Sequence, residues 1–240
     1  MLIVGNLKMN KTHDEMEEYK KTLEKSKSYL KEVVICPSHI YLETLKSNDF
    51  ILGAQDCSRN ENGSFTGEIS AVQLKSSGIK YVIIGHSERR KYHDESNQTI
   101  NSKVKLALKA GLFPIVCVGE TADEKNMHQT TTVIKRQVIG ALKNIAKDDA
   151  EDICFAYEPR WAIGSGKIPT SSQISETISY IKKIVAVKFE VNIKVLYGGS
   201  AKMKNIRELN KIKEIDGYLI GGASLEPQGF LKLISEINNK

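Results

Sequence analysis

The signals that mark a stapled, metal-bound or membrane-embedded chain are scarce here. Only four cysteines occur, at 36, 57, 117 and 154, and no two form a CxxC pair. No histidine–cysteine cluster has zinc-ligand spacing, so neither a disulfide framework nor a metal site is expected. Cys36, Cys117 and Cys154 stand in apolar runs. That placement points to buried thiols and a reducing, cytoplasmic setting. No apolar run nears the ~20 residues that cross a bilayer. The opening Met1-Leu2-Ile3-Val4-Gly5 has neither a basic n-region nor a signal-length apolar core. No membrane partner is therefore expected. Blocks of one charge sign are missing too. The 35 Lys+Arg and 29 Asp+Glu leave a net +6 spread along the whole chain. Lysines and glutamates mix, as between Asp14 and Lys31, which reads as solvated helix faces and argues against a nucleic-acid partner. The surplus can still attract a small anion.

What is present is ordinary for a soluble globular chain: 240 residues, 40% hydrophobic and 27% charged. A chain of this length buries a core without staples. Eight short apolar runs, rich in Val and Ile, recur along it. They are Leu2–Leu7, Val33–Cys36, Phe50–Ala54, Tyr81–Ile84, Phe113–Val118, Ile153–Tyr157, Ile193–Tyr197 and Tyr218–Ile220. Such runs suit parallel strands buried on both faces. Amphipathic stretches lie between them. Met16, Tyr19, Leu23 and Leu30 follow Thr12, with Glu15 completing a capping box. Further rows are Ile100, Val104, Ala107 and Gly111; then Ile174, Ile178, Ile181 and Val185; then Phe230, Leu233, Ile234 and Ile237. One apolar stripe per helix means packing on one side only. Eight units in 240 residues is 30 per unit, the size of a βα module. The fold class expected is α/β, a closed (β/α)8 barrel spanning residues 1–240 as a single domain. An open doubly wound sheet would carry a glycine-rich fingerprint after its first strand, and Gly5-Asn6-Leu7-Lys8-Met9-Asn10 has one glycine.

In such a barrel the chemistry sits at the carboxyl ends of the strands. Asn6 and Lys8 follow the first run, and Gly85-His86-Ser87-Glu88-Arg89-Arg90 the fourth. Tyr157-Glu158-Pro159 closes the sixth, Tyr197-Gly198-Gly199-Ser200 the seventh and Gly221-Gly222-Ala223-Ser224 the eighth. Each taken alone has a bland meaning: a solvent-facing lysine, a capping histidine, a loop carboxylate, a turn. Their convergence on one mouth is the informative feature. Backbone amides approach a phosphate where no side chain intervenes, so the two Gly-Gly pairs suit a phosphate site. Gly164-Ser165-Gly166-Lys167 looks like the end of a P-loop, but Trp161 and Ile168 occupy its first-glycine and Ser/Thr positions. A nucleotide triphosphate is excluded on that ground.

These motifs, together with Tyr157-Glu158-Pro159-Arg160-Trp161-Ala162-Ile163-Gly164-Ser165-Gly166-Lys167, resemble the triosephosphate isomerase family, in order and over the whole chain. The resemblance implies a TIM barrel that interconverts dihydroxyacetone phosphate and D-glyceraldehyde 3-phosphate through an enediolate, in glycolysis and gluconeogenesis, with no metal or organic cofactor. It implies Glu158 as the base, its pKa raised by burial beneath a lid. It implies His86, Asn6 and Lys8 as groups stabilising the enediolate oxygen, with His86 neutral at a helix N-terminus. Glu88 would hold Lys8 in place, with Ser87 and Tyr197 in support. The phosphate would meet the amides of Gly164, Ser200, Gly221 and Gly222. The lid would be Pro159–Pro169, and the loop Gly63-Ser64-Phe65-Thr66-Gly67-Glu68 would enter a second subunit of a homodimer. The rivals are a phosphosugar-binding barrel without catalysis, an anion-binding surface protein and another (β/α)8 phosphosugar enzyme.

The chain departs from the family pattern at four places. Leu7 stands where Trp is usual, with altered packing expected. Asp56 replaces a common Asn, which puts the usual interface hydrogen bonds in question. Arg160 replaces an apolar or acidic residue in the lid's first hinge. Lys167-Ile168-Pro169 replaces Lys-Thr-Ala. In the family a tyrosine hydroxyl at the place of Tyr197 latches the lid through the amide at the place of Pro169. Proline has no N–H, so the latch is expected to be absent or rerouted, while a Ser200-to-Gly166 latch can remain.

Overall fold

Runs of Val, Ile and Leu with no polar alternation leave a strand nowhere to face water, and the eight runs solve this by closing on one another. In the computed structural model, which describes residues 1–26, 30–163 and 167–239, they form β1 (Leu2–Asn6), β2 (Val33–Cys36), β3 (Ile51–Ala54), β4 (Tyr81–Ile84), β5 (Phe113–Val118), β6 (Cys154–Tyr157), β7 (Val195–Tyr197) and β8 (Gly217–Ile220). All neighbours pair in parallel, and β8 returns to β1, aligning Leu2 with Gly217 and Gly5 with Ile220. The barrel is therefore closed, as the pattern implied.

Strand periodicity of two sends alternate residues inward and outward. Leu2, Val4, Val34, Cys36, Ile83, Ile115, Cys117 and Leu219 form the inner cluster, with Cys154 and Leu196. Ile3, Ile35, Val82, Ile84, Val116 and Phe155 face outward into a larger layer shared with the helices. Leu7 belongs to that outer layer and is fully buried there. All four cysteines are free and buried.

The helices are α1 (His13–Glu24), α2 (Ala71–Ser76), α3 (Ser87–Tyr92), α4 (Asn97–Lys109), α5 (Ala122–Asn126), α6 (Thr130–Ala141), α7 (Lys147–Ala150), α8 (Ser171–Phe189), α9 (Ile206–Asn210) and α10 (Pro227–Asn238). Their starts are written in the sequence. Thr12, Ser70, Thr121 and Thr170 each close a capping box with the Glu or Gln three residues on. Pro227 opens α10, where a missing N–H costs nothing. The expected stripes are buried: Met16, Tyr19 and Leu23 in α1, and Ile174, Ile178, Ile181 and Val185 in α8. The even strand–helix alternation does not hold at three places. After β2 the described residues form only a 3-10 turn, His39–Tyr41. After β4 two helices follow, α3 and α4, so the segment from Ser87 has a helix of its own, and after β5 three follow, α5, α6 and α7.

Candidate active site

The αR and β regions suit most side chains, and a residue held outside them signals a constraint. Lys8 is such a residue, with φ 53°. Three bonds hold it there. Its N–H donates to Asn6 Oδ1 (3.0 Å), and its carbonyl accepts from Ser38 Oγ (3.0 Å) and Gln55 Nε2 (2.9 Å). The conformation brings Nζ to 2.5 Å from Glu88 Oε1. The ammonium is thereby paired with the Glu88 carboxylate.

Gly85 turns the chain from β4 into α3. Its φ is +69°, and a Cβ would lie 2.6 Å from Ile100 Cδ1, so no other residue fits without strain. His86 then caps α3, its Nδ1 accepting from the Glu88 N–H at 3.2 Å. Nε2 lies 3.0 Å from Glu158 Oε1, and the Ser87 N–H donates to Glu158 Oε2 at 2.8 Å. A neutral ring with its proton on Nε2 satisfies both contacts. Glu158 is 2% exposed, and His86 and Asn6 are buried beside it.

The electrostatics of this pair differ from the expectation. Burial pushes the Glu158 carboxyl up, but His86, the Ser87 amide and Lys8 outweigh it, and the net shift is downward. Burial pushes the His86 ring down, yet the Glu158 charge and hydrogen bond, with Glu88, carry it above 6.5. A raised Glu158 does not follow from burial alone, because in this arrangement both of its oxygens are already paired. The upward push on His86 comes chiefly from the same contact. Once the carboxylate leaves the ring, burial and the Glu88 amide at Nδ1 favour the uncharged form.

Asn6, Lys8, His86, Ser87, Glu88 and Glu158 meet in one cavity of about 1150 Å³ at the strand ends. Ser200, Gly221 and Gly222 line the same cavity, Gly221 beside the Lys8 side chain. Gly164 and Gly166 lie outside the described residues, as does the centre of the expected lid. Tyr197 does not line the cavity. It is fully buried, and among the described residues its hydroxyl has no partner. Pro169, at the end of the expected lid, is buried. At the start of the expected lid the Arg160 N–H donates to the Glu120 carbonyl, and Trp161 Nε1–H donates to Glu120 Oε1 at 2.8 Å. Tyr157 adds its hydroxyl to the same buried carboxylate at 3.2 Å.

Sequence reasoning missed Ser38, Gln55 and Glu120. Gln55 had a usable signal, because it directly follows β3 at the same end as the other site residues. Asp56 turns inward within its own chain, with Lys103 Nζ 2.7 Å away and Arg89 Nε 2.8 Å away. No cluster of His, Cys, Asp and Glu suited to a metal ion occurs among the described residues.

Residues 1–237 match the sequence pattern of a family described as triosephosphate isomerase. A protein named triosephosphate isomerase from Alkaliphilus oremlandii (strain OhILAs) is 41% identical over 243 residues, covering 98% of each chain. Those from Alkaliphilus metalliredigens (strain QYMF) and Clostridium botulinum (strain Langeland / NCTC 10281 / Type F) are 42% identical, with the same coverage.

Proposed function

The chain belongs to the triosephosphate isomerase family and is an isomerase of triose phosphates, interconverting dihydroxyacetone phosphate and D-glyceraldehyde 3-phosphate without a cofactor; from that premise we propose that Glu158 is the base that moves the proton. Glu158 takes a proton from the carbon beside the carbonyl, and the electron pair passes onto the carbonyl oxygen as an enediolate forms. The His86 Nε2–H and Asn6 amide donate to the developing oxygen, and Lys8 supplies positive charge. Protonated Glu158 then returns the proton to the adjacent carbon, while the hydroxyl proton passes between the two oxygens. The amides of Ser200, Gly221 and Gly222 hold the phosphate, with Gly164 as a fourth donor. Segment 159–169 closes over the substrate, shields the enediolate from water and hinders phosphate loss.

The observation that carries this reading is the meeting of Glu158 with His86 at 3.0 Å in the cavity that also receives Lys8. Glyceraldehyde 3-phosphate isomerisation in a coupled assay tests it, beside the Glu158→Ala and Glu158→Asp variants. Turnover that survives in Glu158→Ala rejects the base assignment. Tight phosphosugar binding without turnover in the parent protein instead means a binding barrel.

The working form we propose is a homodimer. Phe65, 45% exposed, and Met9, 94% exposed and next to Lys8, are large apolar side chains that a second copy would cover. Sedimentation of Phe65→Glu, expected to shift toward monomer, tests this. A cytoplasmic location fits four unpaired thiols, and no helix among the described residues is long and apolar enough to cross a membrane.

A further inference from the structure

The pairing of β4 with β5 stops just short of the residues that face the substrate. Its last aligned pair is Ile84 with Val116. Gly85 and Cys117 come next in register, but Gly85 turns away at φ +69° and carries His86 into α3. β5 runs on to Val118, whose carbonyl accepts the Glu158 N–H at 2.8 Å. Gln137, buried on α6, grips the next residue by both backbone polar atoms, accepting from the Gly119 N–H at 2.7 Å and donating to its carbonyl at 3.1 Å. The end of β5 therefore seats Glu158, while the turn at Gly85 seats His86.

Arg90, on α3, bridges the two where the strand pairing ends. Its Nε–H donates to the Gly85 carbonyl and its Nη2–H to the Cys117 carbonyl, both at 3.0 Å. Nη1–H donates to Asn97 Oδ1 at 2.8 Å, at the start of α4. All three acceptors are uncharged oxygens. Burial pulls the guanidinium down to about 10, so it stays charged at neutral pH. A rigid planar fork thus joins the two carbonyls that would have been the next rung of the sheet.

We propose that Arg90 is a positioning residue for the proton transfer: its guanidinium ties the Gly85 carbonyl to the Cys117 carbonyl and so holds His86 in register with Glu158. This rests on the site reading above. His86 follows Gly85, and Val118, which follows Cys117, holds the Glu158 backbone. The 3.0 Å contact between His86 Nε2 and Glu158 Oε1 is therefore set across the end of β5. Lysine would keep the charge, but its ammonium is a point donor and does not span both carbonyls. Released from β5, the turn at Gly85 can shift, and a misplacement of about 1 Å costs up to about a hundredfold in rate.

The test compares Arg90→Lys, Arg90→Met and Arg90→Ala with the parent, reading kcat, KM, Tm and affinity for two probes. Phosphoglycolate places a carboxylate where the enediolate oxygens form, whereas inorganic phosphate engages only the amides that hold the phosphate. Arg90→Lys and Arg90→Met should each lose roughly tenfold or more in kcat and in phosphoglycolate affinity. Their phosphate affinity should stay within about twofold, because none of the three Arg90 bonds reaches the loops after β7 and β8. Guanidinium chloride at a non-denaturing concentration should restore kcat several-fold in Arg90→Ala, and sodium chloride should not. Parent-like kcat in Arg90→Lys overturns the proposal, since charge alone would then suffice. So does recovery in guanidinium no greater than in sodium chloride, or phosphate and phosphoglycolate affinity falling together with Tm in Arg90→Lys, which marks a general loss of structure. Should the Met and Ala variants fail to fold, Arg90→Lys decides alone. Glu158→Gln, run alongside, separates the two claims. Activity in that variant refutes the site reading, whereas its inactivity beside a silent Arg90→Lys refutes only the role of Arg90.

Discussion

Tyr197→Phe removes a hydroxyl that is buried and, among the described residues, unpartnered. A neutral hydrogen bond contributes about 0.5–1.5 kcal/mol, which is roughly a two- to twelvefold change in an equilibrium. Were the hydroxyl latching a closed lid through the amide at position 169, its removal would weaken a ligand held under that lid by this factor. Pro169 has no N–H to offer. We therefore expect Tyr197→Phe to bind phosphoglycolate within about twofold of the parent. Its Tm should be unchanged or higher, because a buried hydroxyl without a partner carries a penalty of about 1–3 kcal/mol. Pro169→Ala restores the missing donor. In that background the same Tyr197→Phe change should weaken binding by the full two- to twelvefold, giving a coupling energy of about 0.5–1.5 kcal/mol in a double-mutant cycle. Calorimetric titration of the four proteins reads every corner. A fivefold or larger loss from Tyr197→Phe in the presence of Pro169 refutes the reasoning, since the hydroxyl would then have a partner when ligand binds.

Other expectations follow from single contacts. Glu158 titrates below 4.5 when folded because His86, the Ser87 amide and Lys8 together outweigh the upward push of burial. Its ionised form therefore adds stability that is present above pH 4.5 and is lost as pH falls through the depressed value. The urea midpoint of Glu158→Gln should accordingly show a weaker acid decline than the parent, and superimposable profiles would count against the pairing. A Cβ at Gly119 would lie 1.7 Å from the Glu158 carbonyl oxygen. Gly119→Ala should cost about 1–3 kcal/mol or more and lower kcat by displacing Glu158, readable by denaturation and assay; a parent-like variant would mean that β6 yields freely there. Trp161 is the only tryptophan and its indole is bonded to the buried Glu120. Its fluorescence should change when phosphoglycolate binds, and the change should be altered in Glu120→Gln; a spectrum insensitive to ligand would show that this segment keeps its environment.

The barrel was legible because its strands are local and uniform. Eight apolar runs at βα spacing permit few architectures, and the strand-end rule placed Asn6, Lys8, His86 and Glu158 together before any coordinates. Phe50 and Ile153 were read as strand and fall just outside it, since an apolar residue before a strand is buried by the same layer. The left-handed turn at Lys8 had no clear sequence signal, because a lysine there contradicts its own backbone preference and two of the three bonds that sustain it come from Ser38 and Gln55, distant in the chain. The acidic shift of Glu158 was misread for a related reason. Burial is foreseeable from an apolar neighbourhood, whereas the Ser87 amide and the His86 ring that reverse its effect arrive from another strand end. The Asp56 cluster drew its partners from α3 and α4, which the expectation of one helix per strand had merged.

Deuterium exchange at the substrate carbon tests the account most directly. In heavy water, dihydroxyacetone phosphate incubated with the parent protein should acquire deuterium beside its carbonyl as it isomerises, followed by proton resonance. Glu158→Gln should lose both exchange and isomerisation by about a hundredfold to ten-thousandfold, while its affinity for inorganic phosphate stays near the parent value. Exchange in Glu158→Gln at the parent rate would contradict the account, because some other group would then be removing the proton.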